Sequence, residues 1–337
     1  MATPVRSRVT LTDISSRAWE HPADKGALVA LRKLRGFDTV LKAVNGLISE
    51  RTVRLMLLGD SVRVDERQFP VIQRLLADVG RVLDVAELPE VYVVNDPYVN
   101  AMTIGMEKPV ILLNSALVDL MDEEELRFVV GHELGHALSG HAVYRTLLLR
   151  LMQLSGILAA LPLGGLGVRL IVAALMEWSR KAELSADRAG LLATQDPATA
   201  LRVHMKTAGG GHLEDLDPVS FLAQGAEYSE GGDLRDSILK LLLVEQQSHP
   251  FAVVRATEAK RWVDSGAYTR ILSGDYPRRS GDADATMSEA AKEAADHYAR
   301  SFARASDALT KLLRDLGGVL TGVKGWFDER FGRGSSD

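Results

Sequence analysis

From Lys25 to Leu58 the apolar residues return every three or four positions (Leu28, Leu31, Leu34, Val40, Leu41, Val44, Leu47), a helical spacing interrupted near Gly36. The spacing recurs from Phe69 to Leu83 through Ile72, Leu75, Leu76 and Val79, with Pro70 where a first helical turn accepts proline. The rhythm then shortens. Val91 to Val94, Ala101 to Ile104 and Val110 to Leu113 are β-rich runs parted by Asn-Asp-Pro and Gly-Met-Glu-Lys-Pro, which predicts a small sheet. Asn114-Ser115 opens a helical segment, and Met121 to Glu125 opens another whose carboxylates suit the positive end of a helix. The expected fold class is mainly α with a small β-sheet (α+β).

Leu147 to Met176 is the most hydrophobic stretch, yet Arg150 and Arg169 bound an uncharged run of only 18 residues that contains Pro162-Leu163-Gly164-Gly165. A membrane span wants about 20 continuous apolar residues, so a helical hairpin fits better. Each arm, about 11 residues at 1.5 Å per residue, is too short for a bilayer core of about 30 Å. The hairpin is then buried in the protein or a dimer, or rests on a membrane. Ser273 to Ser288 has the composition of a linker, and Thr286-Met287-Ser288-Glu289 is a capping-box pattern that starts a new helix. Beyond it Leu309, Leu312, Leu313, Leu316, Val319, Leu320, Val323, Trp326, Phe327 and Phe331 form one apolar stripe, a core or partner surface or an in-plane membrane helix. The organisation expected is a helical region over 1–68, a central domain over 69–272, a linker over 273–288 and an amphipathic appendage over 289–337.

Composition narrows the classes. With 46% hydrophobic and 25% charged residues the chain is of ordinary globular type. A net charge of −5 and a pI near 6.0 argue against a nucleic-acid partner, which calls for a concentrated basic surface. Zero cysteines exclude disulfides, a thiol nucleophile and thiolate metal ligands, so any metal must use His and carboxylates. Met1 to Arg17 contains no apolar run of the length a secretory signal needs, which reads as cytoplasmic. The hairpin at 147–176 and the stripe at 309–331 leave two further expectations open: association with the inner membrane face, and a homo-oligomer.

The candidate chemistry lies in His132-Glu133-Leu134-Gly135-His136. Helix residues four apart sit one turn above each other, so His132 and His136 can aim two imidazoles at one zinc ion per chain. Glu133 lies beside that point, where its carboxylate can take a proton from a water held there. Three fixed positions coincide by chance in roughly one such sequence in a hundred, so context has to add weight. It does: Leu126, Val129, Val130 and Leu138 flank the motif, as a buried site requires.

A catalytic zinc needs a third protein ligand. His141 is five residues past His136, but the extended HExxHxxGxxH pattern fails because positions 139 and 142 are Ser139 and Ala142. His141 then reads as a helix-end residue. Glu183 is the better candidate, with Asp187 four residues on to orient a ligand histidine through its other nitrogen. Leu184, Ala186, Ala189, Gly190 and Leu191 make that segment too apolar for a solvated face.

These residues resemble the HtpX-like and CAAX prenyl protease family of zinc metallopeptidases, peptidase family M48, with its HExxH and downstream ExxxD. Asn100-Ala101 with Gly105, the run from Val110 to Leu117, Glu124-Glu125-Leu126, Ser179 to Asp187, and Ser248-His249-Pro250 with Arg255 are similar to that family over about residues 69 to 262. The resemblance implies a gluzincin-type fold in which His132, His136 and Glu183 bind zinc, Glu133 is the base, and Asp187 and Arg255 support the ligands. It also gives His249 the role of a donor to the oxyanion of the tetrahedral intermediate. The run from Asn100 through Ala101 and Met102 to Ile104 becomes the edge strand along which a polypeptide substrate lies. The expected activity is an endopeptidase acting on unfolded, misfolded or flexible polypeptide, as in protein quality control. The rival reading is a non-catalytic metal-binding scaffold that uses the hairpin and stripe for assembly; an intact Glu133 counts against it.

Overall fold

The computed structural model describes residues 7–34, 37–45, 50–153, 164–230, 251–301 and 303. Helices α1 (Pro22–Arg32), α2 (Phe37–Asn45) and α3 (Glu50–Asp60) precede the two-residue strand β1 (Val62–Arg63) and helix α4 (Pro70–Val82). Strands β2 (Glu90–Val94), β3 (Ala101–Ile104) and β4 (Val110–Asn114) follow, then α5 (Ser115–Leu120), α6 (Glu123–Leu138) and α7 (His141–Gln153). The remainder is helical: α8 (Gly164–Thr194), α9 (Pro197–Gly209), α10 (Pro218–Glu230), α11 (Ala252–Asp264), α12 (Ala267–Leu272) and a segment over 289–301. A mostly helical body with one small sheet is the α+β class the sequence predicts.

The sheet runs β1-β2-β4-β3. β2 and β4 are parallel, pairing Glu90 with Val110 through Val94 with Asn114, and β3 returns antiparallel on β4, pairing Ala101 with Leu113. Among the described residues β3 therefore has no strand neighbour on its outer side. β1, paired antiparallel to β2 through Val62 and Arg63, is too short for alternation to announce it.

Helix α6 is the axis of the fold. Asp122 caps it: its Oδ1 accepts from the Glu125 N–H at 2.9 Å, while Glu125 Oε2 accepts from the Asp122 N–H at 2.8 Å, a reciprocal capping box. From Glu125 to His136 every residue is buried. Glu125 is stabilised there by Lys206 Nζ at 2.6 Å. On one side α6 meets α4, whose Ile72, Leu75, Leu76 and Val79 point inward at helical spacing. On the other it lies against α8 at a distance only glycine permits. A Cβ on Gly135 would stand 2.5 Å from Ala189 Cβ, and Gly131 faces Ala193 and Gly190 just as closely.

A second apolar cluster joins α1, α2, α7 and α8 through Leu31, Phe37, Leu147, Leu151, Leu175 and Trp178. Leu147, Leu148 and Leu151 on one arm of the predicted hairpin and Ile171, Ala174 and Leu175 on the other are thus buried inside the protein, while Met152 is exposed, and among the described residues no helix is long and apolar enough to cross a membrane. Residues 154–163, which include Pro162, and the stripe at 309–331 lie outside the described residues. Residues 273–288, of linker composition, are tied to the N-terminal segment: Ser15 N–H donates to the Pro277 carbonyl at 3.0 Å and Arg279 N–H to the Asp13 carbonyl at 2.8 Å. The helix that follows is capped by Ser288, whose Oγ accepts from Ala291 N–H at 3.2 Å, rather than by Thr286.

Candidate metal centre and active site

One turn of α6 puts His132 and His136 on the same face, and α8 brings Glu183 up to them. The three side chains converge: His132 Nε2 is 3.2 Å from His136 Nε2 and 3.4 Å from Glu183 Oε2, and His136 Nε2 is 3.2 Å from the other oxygen, Glu183 Oε1. A tetrahedral ion with bonds of 2.0–2.1 Å has ligand-to-ligand edges of about 3.3 Å, so these separations fit zinc and crowd a larger cation. All three side chains are buried, and among the described residues this is the buried group with metal-ligand geometry.

Glu133 is held apart from the triad. Its Oε1 is 3.9 Å from His132 Nε2, while the Thr103 hydroxyl on β3 lies 2.7 Å from Oε2 and 2.9 Å from the Glu133 carbonyl. The carboxylate is thus anchored by one oxygen and presents the other to the ligand side. A cleft of about 110 Å³ opens onto it, walled by Val99, Asn100 and Ala101 at the start of β3, by Phe128 and Val129 on α6, and by His204 on α9.

Asp187, one turn past Glu183, accepts from His132 Nδ1 at 3.0 Å, which leaves Nε2 as the lone pair aimed at the triad. Arg255 on α11 clamps Asp187 with a fork, Nε to Oδ2 at 2.8 Å and Nη2 to Oδ1 at 2.5 Å, and its Nη1 lies 3.3 Å from Glu183 Oε2. Arg145 on α7 adds a second cation, 3.2 Å from Glu183 Oε1. Two buried carboxylates thus face two guanidinium groups.

These neighbours split the two histidines. Burial alone would lower the His132 pKa, but the bonds to Asp187 and Glu183 outweigh it and raise the value to about 9. His136 is driven well below 6.5 by burial and by the charge of Arg145. Burial opposes ionisation of Asp187, yet the Arg255 charge holds its carboxyl well below the usual range. His204, fully buried, falls to about 4 through desolvation, and its Nε2 has no hydrogen-bond partner among the described residues.

The sequence profile of peptidase family M48 matches residues 66–263, more than half of the chain. The chain belongs to peptidase family M48. It is 32% identical over 265 residues to a plastoglobule-localized metallopeptidase 48 of the Arabidopsis thaliana chloroplast, a match covering 77% of this chain and 76% of the relative. It is 29% identical over 92 residues to a protease HtpX homolog of Streptococcus pneumoniae, covering 27% of this chain and 30% of that protein. No solved structure matches. As a member of peptidase family M48 the protein is a metallopeptidase, with polypeptide as its class of substrate.

Of the site residues expected from the sequence, this family member brings His132, Glu133, His136, Glu183, Asp187 and Arg255 into one buried cluster. Asn100 and Ala101 line the cleft; Met102, on the opposite face of the pleat, does not. His249 lies outside the described residues. Thr103, Arg145 and His204 join the site without any sequence signal, since no fixed spacing ties any of them to the motif. His141, read as a helix end, is indeed the first residue of α7, and it touches the site through His136 at 2.9 Å.

Proposed function

We propose that this protein is a zinc-dependent endopeptidase that hydrolyses unfolded or flexible polypeptide, with one zinc held by His132, His136 and Glu183. The observation that carries the reading is the 3.2–3.4 Å convergence of those three side chains beside a separately anchored Glu133. Zinc bound there supplies a Lewis acid that polarises a carbonyl and acidifies water. Glu133, fixed by Thr103 through Oε2, takes the proton of the attacking water and passes it to the leaving amine. Asp187 and Arg255 keep His132 in the tautomer whose Nε2 can ligate. The substrate lies extended along the outer side of β3, its backbone pairing there, so recognition reads backbone more than side chains. His249 is the position that the family resemblance makes the oxyanion donor.

The burial of Leu147, Leu151, Ile171 and Leu175 inside the protein favours the 309–331 stripe as the part that reaches a membrane surface or partner, with the protein otherwise cytoplasmic. The deciding experiment compares casein cleavage by zinc-loaded wild type and Glu133→Gln. Loss of the base costs roughly 100- to 10,000-fold in rate with zinc retained. If both proteins hold stoichiometric zinc and are equally inert, the scaffold reading replaces this one.

A further inference from the structure

His136 has no carboxylate on its second nitrogen. Its Nδ1 meets His141 Nδ1 at 2.9 Å, and His141 Nε2 in turn meets Asp24 Oδ2 at 3.0 Å. Asp24 lies on α1, outside the residues 66–263 that match the family profile, and is 1% exposed. We propose that Asp24 is a positioning residue of the metal site, fixing through His141 the ring of His136 and the nitrogen it turns toward the ion. This rests on the zinc reading above and extends it to a residue of the N-terminal helix.

With His141 neutral, proton bookkeeping along the chain of contacts admits one arrangement. The Trp178 indole N–H can only donate, and it reaches Asp24 Oδ1 at 2.9 Å. Ser185 Oγ accepts from the His21 N–H at 2.9 Å and gives its own proton to Asp24 Oδ2 at 2.6 Å. Asp24 is then an acceptor on both oxygens, so His141 must donate from Nε2. A neutral His141 protonated there has a lone pair at Nδ1, and the contact with His136 is made by the His136 Nδ1–H. The lone pair of His136 is thereby left on Nε2, the atom that faces His132 and Glu183. His132 reaches the same state through Asp187 directly, whereas His136 reaches it through an intervening imidazole.

The fold holds Asp24 firmly enough for this task. Ser185, between Glu183 and Asp187 on α8, ties the start of α1 to the ligand helix. On its far side α1 meets the 289–301 helix so closely that a Cβ on Gly26 would stand 2.5 Å from Ala294 Cβ and 2.6 Å from the Ala295 nitrogen. The ring of His141 is also packed edge-on to Trp178, with centroids 5.5 Å apart.

Asp24→Asn tests the polarity of the relay. Because Trp178 can only donate, the new amide turns its oxygen to the indole and its NH₂ to His141 and Ser185. His141 then accepts at Nε2, carries its proton on Nδ1 and opposes the His136 N–H. The expected result is a roughly 10- to 100-fold weaker zinc affinity, read by chelator competition, together with reversal of the His141 tautomer in imidazole nitrogen NMR of the zinc-loaded protein. His141→Phe keeps a ring in place and removes both nitrogens; it should lose affinity by a similar factor and serves if Asp24→Asn does not fold. Wild-type zinc affinity in either folded variant, or an unchanged His141 tautomer in Asp24→Asn, overturns the relay and leaves the zinc site standing. Wild-type protein that takes up no zinc overturns the site itself, and the relay with it.

Discussion

Zinc uptake by this protein should expel a proton at pH values where ordinary histidines have none left to give. In the metal-free protein His132 titrates at about 9, because Asp187 and Glu183 outweigh its burial, while His136 is neutral well below 6.5. One proton therefore sits on the ligand pair at neutral pH, and the ion has to displace it. Apparent zinc affinity should climb about tenfold per pH unit from pH 7 to 9, about 100-fold in all, and level off above. Two histidines at the ordinary value would level off soon after pH 7. The sign carries into stability as well. A folded-state pKa raised above 6.5 contributes stability that is fully present below pH 6.5 and is lost as pH rises through about 9. For His132 that amounts to about 3 kcal/mol in the metal-free protein. The assay is competition with a zinc-buffering chelator at pH 7, 8 and 9 and fixed ionic strength. Calorimetric titration at pH 7.5 in two buffers of different ionisation enthalpy counts the proton directly. An affinity that is flat over this range, with no proton released, would refute the charge assignment of the site.

Three further outcomes follow from contacts around the cluster. Thr103→Val removes the hydroxyl that anchors Glu133 Oε2; a hydrogen bond to a charged group is worth about 1.5–3 kcal/mol, so kcat should fall at least about tenfold with zinc content unchanged, measured on a quenched peptide alongside metal analysis. Arg255→Met leaves Asp187 and Glu183 short of a cation and should cost the metal-free protein about 3–5 kcal/mol in urea unfolding, less when zinc is bound. Gly135→Ala drives a methyl onto Ala189 and should cost about 1–3 kcal/mol, with weaker zinc binding in the same titration.

The parts of the fold and site legible in the sequence are those set by short-range periodicity. The spacing of Ile72, Leu75, Leu76 and Val79 gave α4, the β-rich runs gave β2, β3 and β4, and the acidic start gave α6. His132, Glu133 and His136 were legible because four residues make a turn, and Glu183 and Asp187 because the same rule pairs them on α8. Thr103, Arg145 and Asp24 were not, because each reaches the site across the fold: Asp24 meets His141 over more than a hundred residues of chain, and nothing local marks it. The contacts that 273–288 makes are out of reach of composition in a related way. Polar, Gly-rich chain reads as free, but its backbone pairs with Asp13 and Ser15, and the side chains of Tyr276 and Arg278 donate to the Thr12 carbonyl.

The glycine contacts between α6 and α8 decide something beyond packing. The ligands His132 and His136 stand on one helix and Glu183 on the other, so the gap between the two backbones is also the bore of the metal site. With Gly135 against Ala189 and Gly131 against Gly190, that bore has no slack in which to shrink and can widen only by parting two buried helices. An ion of zinc or cobalt size seats without moving them, whereas a cadmium ion, with its longer bonds, has to pry them apart. Discrimination between metals at the proposed site should then be a matter of mechanical stiffness, supplied by residues that carry no ligand atom.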